Sequence, residues 1–304
     1  MKNLCVCVIG LGSMGKLHLQ KLMKIGSVDV IAADVDSSRI SEIRSAFKIR
    51  TDQDYRKVIP DIDAAVVATP TITHYAIVKE LLKNGVHVFV EKPITDSAKN
   101  AVKICSLAEK RGLILHVGHI EQYNPAYRKA KALVRSPEFI EFSRLSPFPF
   151  RSLDVDVVMD VMIHDIGLAL DIAGSDVKSV EAFGQIFVSD GIDFVRAKIV
   201  FRNGCIAVLT ASRAYSEKIR KIYIIDRKRQ FLVDLLEKKL SLLLPGKNGI
   251  EIGKVRIDPS DQIETELKDF LSALKKQKSP LVTGRDGLKI LNVAEKIRDK
   301  LVIL

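Results

Sequence analysis

The chain has 304 residues, 47% of them apolar and 28% charged, which is enough for packed cores, excludes a disordered or fibrous chain, and suits two domains better than one. Its formal charge of +11 is spread evenly, with 17 basic against 12 acidic residues in 1–120 and 31 against 25 in 121–304, so no basic arm or aromatic-laced stripe marks a nucleic-acid reader. Four cysteines without C-x-x-C spacing, a short apolar start and the lack of an 18-residue apolar run argue against a disulfide scaffold, a signal peptide and a membrane span, and the expectation is a cytoplasmic protein.

In chain order, residues 4–9, 28–33, 64–68, 86–90 and 114–117 are short apolar runs, and the stretches between them, such as 14–24 and 75–83, have helical periodicity. Several of these strands are apolar at nearly every position, as when helices cover both faces of a sheet. An α/β fold is predicted, opening with a doubly wound parallel sheet of the Rossmann type over 1–120, the dinucleotide-binding domain. Cys5 and Cys7 share one strand face and are expected to pack there.

From about residue 138 the pattern changes. Residues 139–145, 180–188, 194–201, 205–214, 219–226, 231–236 and 240–244 read as strands in close succession, with helices at 125–135, 155–173, 261–276 and 285–301. This predicts an α+β domain over 121–304 with a large, mostly antiparallel, open-faced sheet, for substrate binding and oligomerisation. Its strands carry apolar residues on both alternating faces, for example Ile199 and Phe201 against Val200, and Ile206 and Val208 against Ala207 and Leu209. One face packs on helices; the other, left apolar, is expected to be covered by a second copy of the chain.

The string Gly10-Leu11-Gly12-Ser13-Met14-Gly15 has G-x-G-x-x-G spacing, and it follows the first strand and opens a helix. There the glycines permit a tight turn and close approach of backbone to a pyrophosphate, held by the helix N-terminus. Asp34 stands 19 residues after Gly15, at the end of the second strand, where its carboxylate would accept hydrogen bonds from the adenosine ribose hydroxyls. Asp34 and Asp36 would repel a 2′-phosphate, so the predicted cofactor is NAD rather than NADP.

Ala68-Thr69-Pro70-Thr71-Ile72-Thr73-His74-Tyr75 stands at the end of the predicted strand 64–68 and Val90-Glu91-Lys92-Pro93 at the end of that at 86–90. With the glycine string, these motifs resemble the glucose-fructose oxidoreductase, inositol dehydrogenase and rhizopine-catabolism family, Gfo/Idh/MocA, over essentially the whole chain. The resemblance implies that Thr69, Pro70, His74 and Glu91 belong to the cofactor site and that Lys92 serves catalysis. Position supports Lys92, since ligands of open α/β sheets bind at the carboxyl ends of the strands, where an ammonium would stabilise charge on the oxygen that becomes a carbonyl.

Asp160 and His164 lie four residues apart in an apolar helical pattern and would share one helix face. The resemblance implies that such a D-x-x-x-H pair faces the nicotinamide. Asp160 would orient the ring and His164 act as general base, although Lys92 and His164 can exchange roles. No cluster of His, Cys, Asp and Glu has metal-site spacing, so no metal is expected.

Gly118-His119-Ile120-Glu121-Gln122-Tyr123-Asn124-Pro125 and Ser146-Pro147-Phe148-Pro149-Phe150-Arg151 resemble the part of this family that oxidises UDP-N-acetylhexosamines, such as UDP-N-acetylglucosamine, at the 3-hydroxyl. Gln122 and Tyr123 depart from the G-H-x-E-R-F-N-P usual there. His119, Asn124 and Arg151 are the expected substrate contacts, with Arg151 suited to a diphosphate. His116 is expected to be structural. The alternatives are an inositol or free-sugar dehydrogenase and, in another class, a non-catalytic NAD-binding regulator; retention of Lys92, Asp160 and His164 speaks against the latter. Family members commonly assemble as dimers or tetramers through the second-domain sheet.

Overall fold

The computed structural model describes residues 3–26, 28–148 and 155–304. The chain divides into two compact units, Met1–Ile120 with Asp261–Lys289, and Glu121–Ser260 with Ile290–Leu304.

The first unit runs β1 (Leu4–Ile9), α1 (Ser13–Ile25), β2 (Val28–Ala33), α2 (Ser37–Phe47), β3 (Arg50–Asp52), β4 (Ala64–Val67), α3 (Thr71–Lys83), β5 (His87–Glu91), α4 (Ala98–Arg111) and β6 (Leu115–Gly118). The strands form one parallel sheet in the order β3-β2-β1-β4-β5-β6, the doubly wound arrangement that was expected. β4 is buried along its whole length, and Cys7 is fully buried in β1. Only β3 has no counterpart in the sequence reading. It is three residues long, polar and partly exposed, so it has no apolar run to betray it. Helices end where the sequence supplies the means: α1 at Gly26 (φ +67) and α4 at Gly112 (φ +64), both left-handed positions that glycine adopts without strain.

The second unit contributes α5 (Pro125–Leu133), β7 (Phe139–Leu145), a π-helical turn (Val158–Met162), α6 (Ile163–Ala173), β8 (Val177–Gln185), β9 (Phe194–Phe201), β10 (Ile206–Ser212), β11 (Ile219–Asp226), β12 (Arg229–Asp234), β13 (Lys239–Gly246) and β14 (Gly249–Val255). After two further helices, α7 (Gln262–Lys276) and α8 (Gly284–Asp299), the chain closes with β15 (Leu301–Ile303). The nine-stranded sheet has the order β14-β13-β12-β11-β7-β10-β9-β8-β15. It is antiparallel except where β7 meets β10 and β8 meets β15. The expected helix at 285–301 ends at Asp299, and its tail pairs Leu301 with Ala182 instead. β14 escaped the sequence reading because nearly every residue in it is exposed, leaving no alternation to detect.

Ile140 and Phe142 of β7, Ala197 and Ile199 of β9 and Leu209 of β10 point inward and are buried. The opposite face is not the uniformly apolar surface that was expected. Half-exposed Val200, Ile206, Val208 and Tyr223 share it with charged pairs, Arg196 with Glu141 and Lys198 with Glu181.

The largest departure is α7, placed by sequence in the second domain. Its apolar stripe, Ile263, Leu267, Phe270 and Leu271, joins Leu19 and Leu22 of α1 and Phe89 of β5 in the core of the first unit. Each such side chain contributes about 1.5–3 kcal/mol on burial, whereas the exposed pairs that join α1 and α7, Lys21 with Asp261 and Lys24 with Glu264, add little. Residues 261–289 therefore pack with the first unit, not with the 121–304 domain anticipated.

Candidate active site

At the end of β1 the chain turns at Gly10 with φ +90, and a Cβ there would stand 2.7 Å from the Ala68 carbonyl oxygen and 2.8 Å from Thr69 Cγ2. At Gly15 a Cβ would stand 1.7 Å from the Gly10 carbonyl oxygen, while Gly12 faces open space. The first and third glycines are thus needed for packing and the second keeps the approach clear. No side chain caps the N-terminus of α1, so its first N–H groups remain available to an anion. A cavity of about 660 Å³ opens here, lined by Gly10, Gly12, Ser13, Met14, Asp34, Thr69 and Pro70, all expected from sequence, with Arg39, Gln53 and Tyr55, which were not. Leu11 departs from expectation: its side chain is buried in the core and its N–H is given to Asp34.

Asp34 is 7% exposed. Its Oδ2 accepts from Leu11 N–H at 2.6 Å and its Oδ1 from Asp36 N–H at 2.9 Å, so the glycine loop itself holds the carboxylate in place. Arg39 approaches to 3.4 Å. Asp36 accepts from the Ser38 hydroxyl at 2.6 Å and caps α2 through Ser38 N–H at 2.8 Å and Arg39 N–H at 3.3 Å, and these donors, the hydroxyl first, hold its carboxyl below the usual carboxylate range. A glycine cradle, an uncapped helix end and a buried acid at the far side of one cavity fit NAD.

His74, in the first turn of α3, is buried, with Nδ1 2.9 Å from the Pro93 carbonyl oxygen and Nε2 2.9 Å from that of Thr69. No ring nitrogen is left for a cofactor; the side chain ties the Thr69 loop to the Lys92-Pro93 loop, whose peptide bond is cis. Burial pushes His74 below its usual 6.5 in spite of those two carbonyls. Glu91 is likewise engaged, taking His18 Nε2 at 2.6 Å on one carboxylate oxygen and Lys92 N–H at 3.2 Å on the other. Beneath them Phe89 contacts the His18 and His116 rings, with centroids 5.1 and 4.7 Å apart; His116 is fully buried, a packing residue as expected.

Glu91 pairs with Gly118 across β5 and β6, so Lys92 and His119 leave the sheet side by side. His119 is 2% exposed, and burial together with the Lys92 cation pushes it down to about 4.

In the second unit the helix carrying Asp160 and His164 opens with the π turn rather than the single α-helix expected, so Asp160 lies in the wider turn and His164 in the first α turn. Such turns recur at functional sites. Asp160, Val161 and His164 are half-exposed on a helix otherwise buried from Val157 to Ala169. Next to His164, Asp165 is fixed by Arg144 of β7, whose Nε and Nη2 reach Asp165 Oδ1 at 2.9 and 2.7 Å while Nη1 reaches Glu121 Oε1 at 2.9 Å. Arg220 of β11 also donates to Glu121 Oε1, at 2.9 Å. Burial alone would raise Glu121; Arg144 and Arg220 outweigh it and hold the group below its usual value.

Asn124, expected to touch substrate, does not serve that purpose. It is fully buried; its Oδ1 caps α5 through Ala126 N–H at 3.1 Å and its Nδ2 donates to the Leu235 carbonyl at 3.0 Å. Gln122 donates to the Gly167 carbonyl of α6 at 3.2 Å, so this position packs on the helix. Arg151 lies outside the described residues. Sequence reasoning passed over His18, three residues beyond Gly15, and Arg144, because their partners Glu91 and Asp165 are distant in the chain.

Among the described residues, no group of three or more His, Cys, Asp and Glu side chains is arranged to hold a metal ion, and no helix is long and apolar enough to cross a membrane. Residues 4–119 match the profile of an oxidoreductase family with an NAD-binding Rossmann fold, and residues 146–228 that of the GFO/IDH/MocA C-terminal domain. A UDP-N-acetylglucosamine 3-dehydrogenase from Acidithiobacillus ferrooxidans is 33% identical over 298 residues, 96% of this chain and 95% of that one. Its crystal structure superposes with a TM-score of 0.93, covering 99% and 98% of the two chains at 31% identity. A scyllo-inositol 2-dehydrogenase (NAD(+)) from Bacillus subtilis is 26% identical over 309 residues, 94% of this chain and 90% of that one.

Proposed function

The chain belongs to the Gfo/Idh/MocA family of NAD-binding oxidoreductases, and from that premise we propose that it oxidises a secondary hydroxyl of a nucleotide sugar, UDP-N-acetylglucosamine at its 3-hydroxyl. The observation that carries the substrate is the near full-length similarity to an enzyme of that name, joined by the G-H-x-E and N-P positions of the 118–125 string.

NAD, when bound, supplies the hydride acceptor. Asp34 receives the adenosine ribose hydroxyls, and the N–H groups at the start of α1 hold the diphosphate. Lys92 donates to the oxygen that becomes the ketone, stabilising its developing charge. His164, oriented by Asp160, takes the hydroxyl proton. Arg144, through Asp165, keeps α6 in the rotation that presents His164.

The test is NADH formation on mixing the protein with NAD and UDP-N-acetylglucosamine, free N-acetylglucosamine, or myo- and scyllo-inositol. Turnover of the nucleotide sugar alone supports the reading. Turnover of inositols alone favours the second reading, an inositol dehydrogenase, which the 26% identity to such an enzyme supports.

We also propose a homodimer or homotetramer joined through the outer face of the second-unit sheet, where Val200, Ile206, Val208 and Tyr223 lie half-exposed. A cytoplasmic location is supported by four cysteines none of which forms a disulfide.

A further inference from the structure

The buried His18 and His74 use at least one ring nitrogen, His18 on Glu91 and His74 on two carbonyls. His119 does not. Among the described residues it is the buried imidazole with neither Nδ1 nor Nε2 hydrogen-bonded to protein, although it is 2% exposed. Folding tolerates a polar ring in that state only at a cost, and such groups in native structures call for a partner.

Its position indicates the partner. The pairing of Glu91 with Gly118 puts His119 beside Lys92, at the carboxyl end of the sheet where ligands of this fold bind. Kept uncharged by burial and by the Lys92 cation, the ring offers one N–H and one lone pair. That pair of functions matches a group which both accepts and donates, a hydroxyl or an amide. It does not match a phosphate or carboxylate, which needs donors only.

We propose that His119 is a specificity-determining residue that binds an uncharged hydroxyl or acetamido group of the sugar ring, next to the hydroxyl being oxidised. This rests on the sugar-oxidising reading above. The diphosphate is left to other residues.

The experiment compares His119→Leu, His119→Phe and His119→Gln with the wild type for KM toward UDP-N-acetylglucosamine, NADH affinity by cofactor fluorescence, and melting temperature. The expected result is a KM raised at least tenfold in the Leu and Phe variants, recovered to within a few-fold by Gln, which keeps a donor and an acceptor. NADH affinity stays within twofold. Melting temperature is unchanged or higher in Leu, because removing an unpaired buried polar group relieves the fold. A KM in Leu or Phe within threefold of wild type overturns the proposal, and so does a loss of NADH affinity in place of the rise in KM. If the wild type oxidises polyols and not the nucleotide sugar, the substrate reading fails by itself, and the same KM comparison with the polyol decides the role of His119.

Discussion

His18 Nε2 lies 2.6 Å from Glu91 Oε1, joining α1, the helix that follows the glycine loop, to the residue that precedes Lys92. The other Glu91 oxygen accepts the Lys92 N–H, so the carboxylate fixes the start of the Lys92-Pro93 loop. Burial would raise this acid, but His18 and Lys92 outweigh it and hold it below its usual 4.5.

Because the folded value lies below the unfolded one, the stability contributed by Glu91 is fully present above pH 4.5 and is lost as pH falls through the folded value. His18→Leu leaves a buried acid without its partner and should cost about 3 kcal/mol at neutral pH. Urea unfolding measured at pH 7 and across pH 3–5 checks both statements; a wild type equally stable at pH 3 and pH 5 would remove the argument.

For cofactor choice, NAD should bind at least about tenfold more tightly than NADP, a difference of about 1.4 kcal/mol. Asp34→Ala should narrow that ratio, because Arg39, 3.4 Å from Asp34, is then released to meet a 2′-phosphate. Fluorescence titration with NADH and NADPH measures it, and equal affinities in the wild type would refute the role given to Asp34.

Lys92→Ala and His164→Ala should each lower kcat by about 10²-fold or more with little change in NADH affinity, the scale of a general acid or base. A variant that keeps near-normal turnover of the true substrate takes its residue out of the mechanism.

Arg144→Met strands Asp165 and part of the charge on Glu121 inside the second unit. Removing one member of such a buried network costs about 3–5 kcal/mol, and kcat should fall with it as α6 loosens. Chemical denaturation and steady-state kinetics on the same preparation are the measurements; unchanged kcat would show that the network stabilises the fold without positioning His164.

Light scattering at micromolar concentration should give a mass at least twice 33.8 kDa. Replacing Val208 and Tyr223 by Lys and Asp should shift it toward the monomer. A wild-type monomer would count against the outer sheet face as an interface.

What the sequence determined by itself is local. The strand and helix periods of the first 120 residues, the glycine turn and Asp34 lie within a few dozen positions of one another, and each is set by φ/ψ limits, side-chain spacing and turn chemistry that act over short stretches. The same holds for the run of strands after residue 138. The tertiary structure alone decided that α7 returns to the first unit, since its apolar stripe specifies a buried face but not which sheet still lacks a cover. It also decided that Asn124 is a helix cap with no polar atom to spare, that Glu91 is held by His18 from 73 positions away, and that Arg144 and Asp165 meet across the second unit. These outcomes depend on which buried polar groups come within hydrogen-bonding reach once the sheets close. That reach is a property of chain segments far apart in sequence, and spacing along the chain does not encode it.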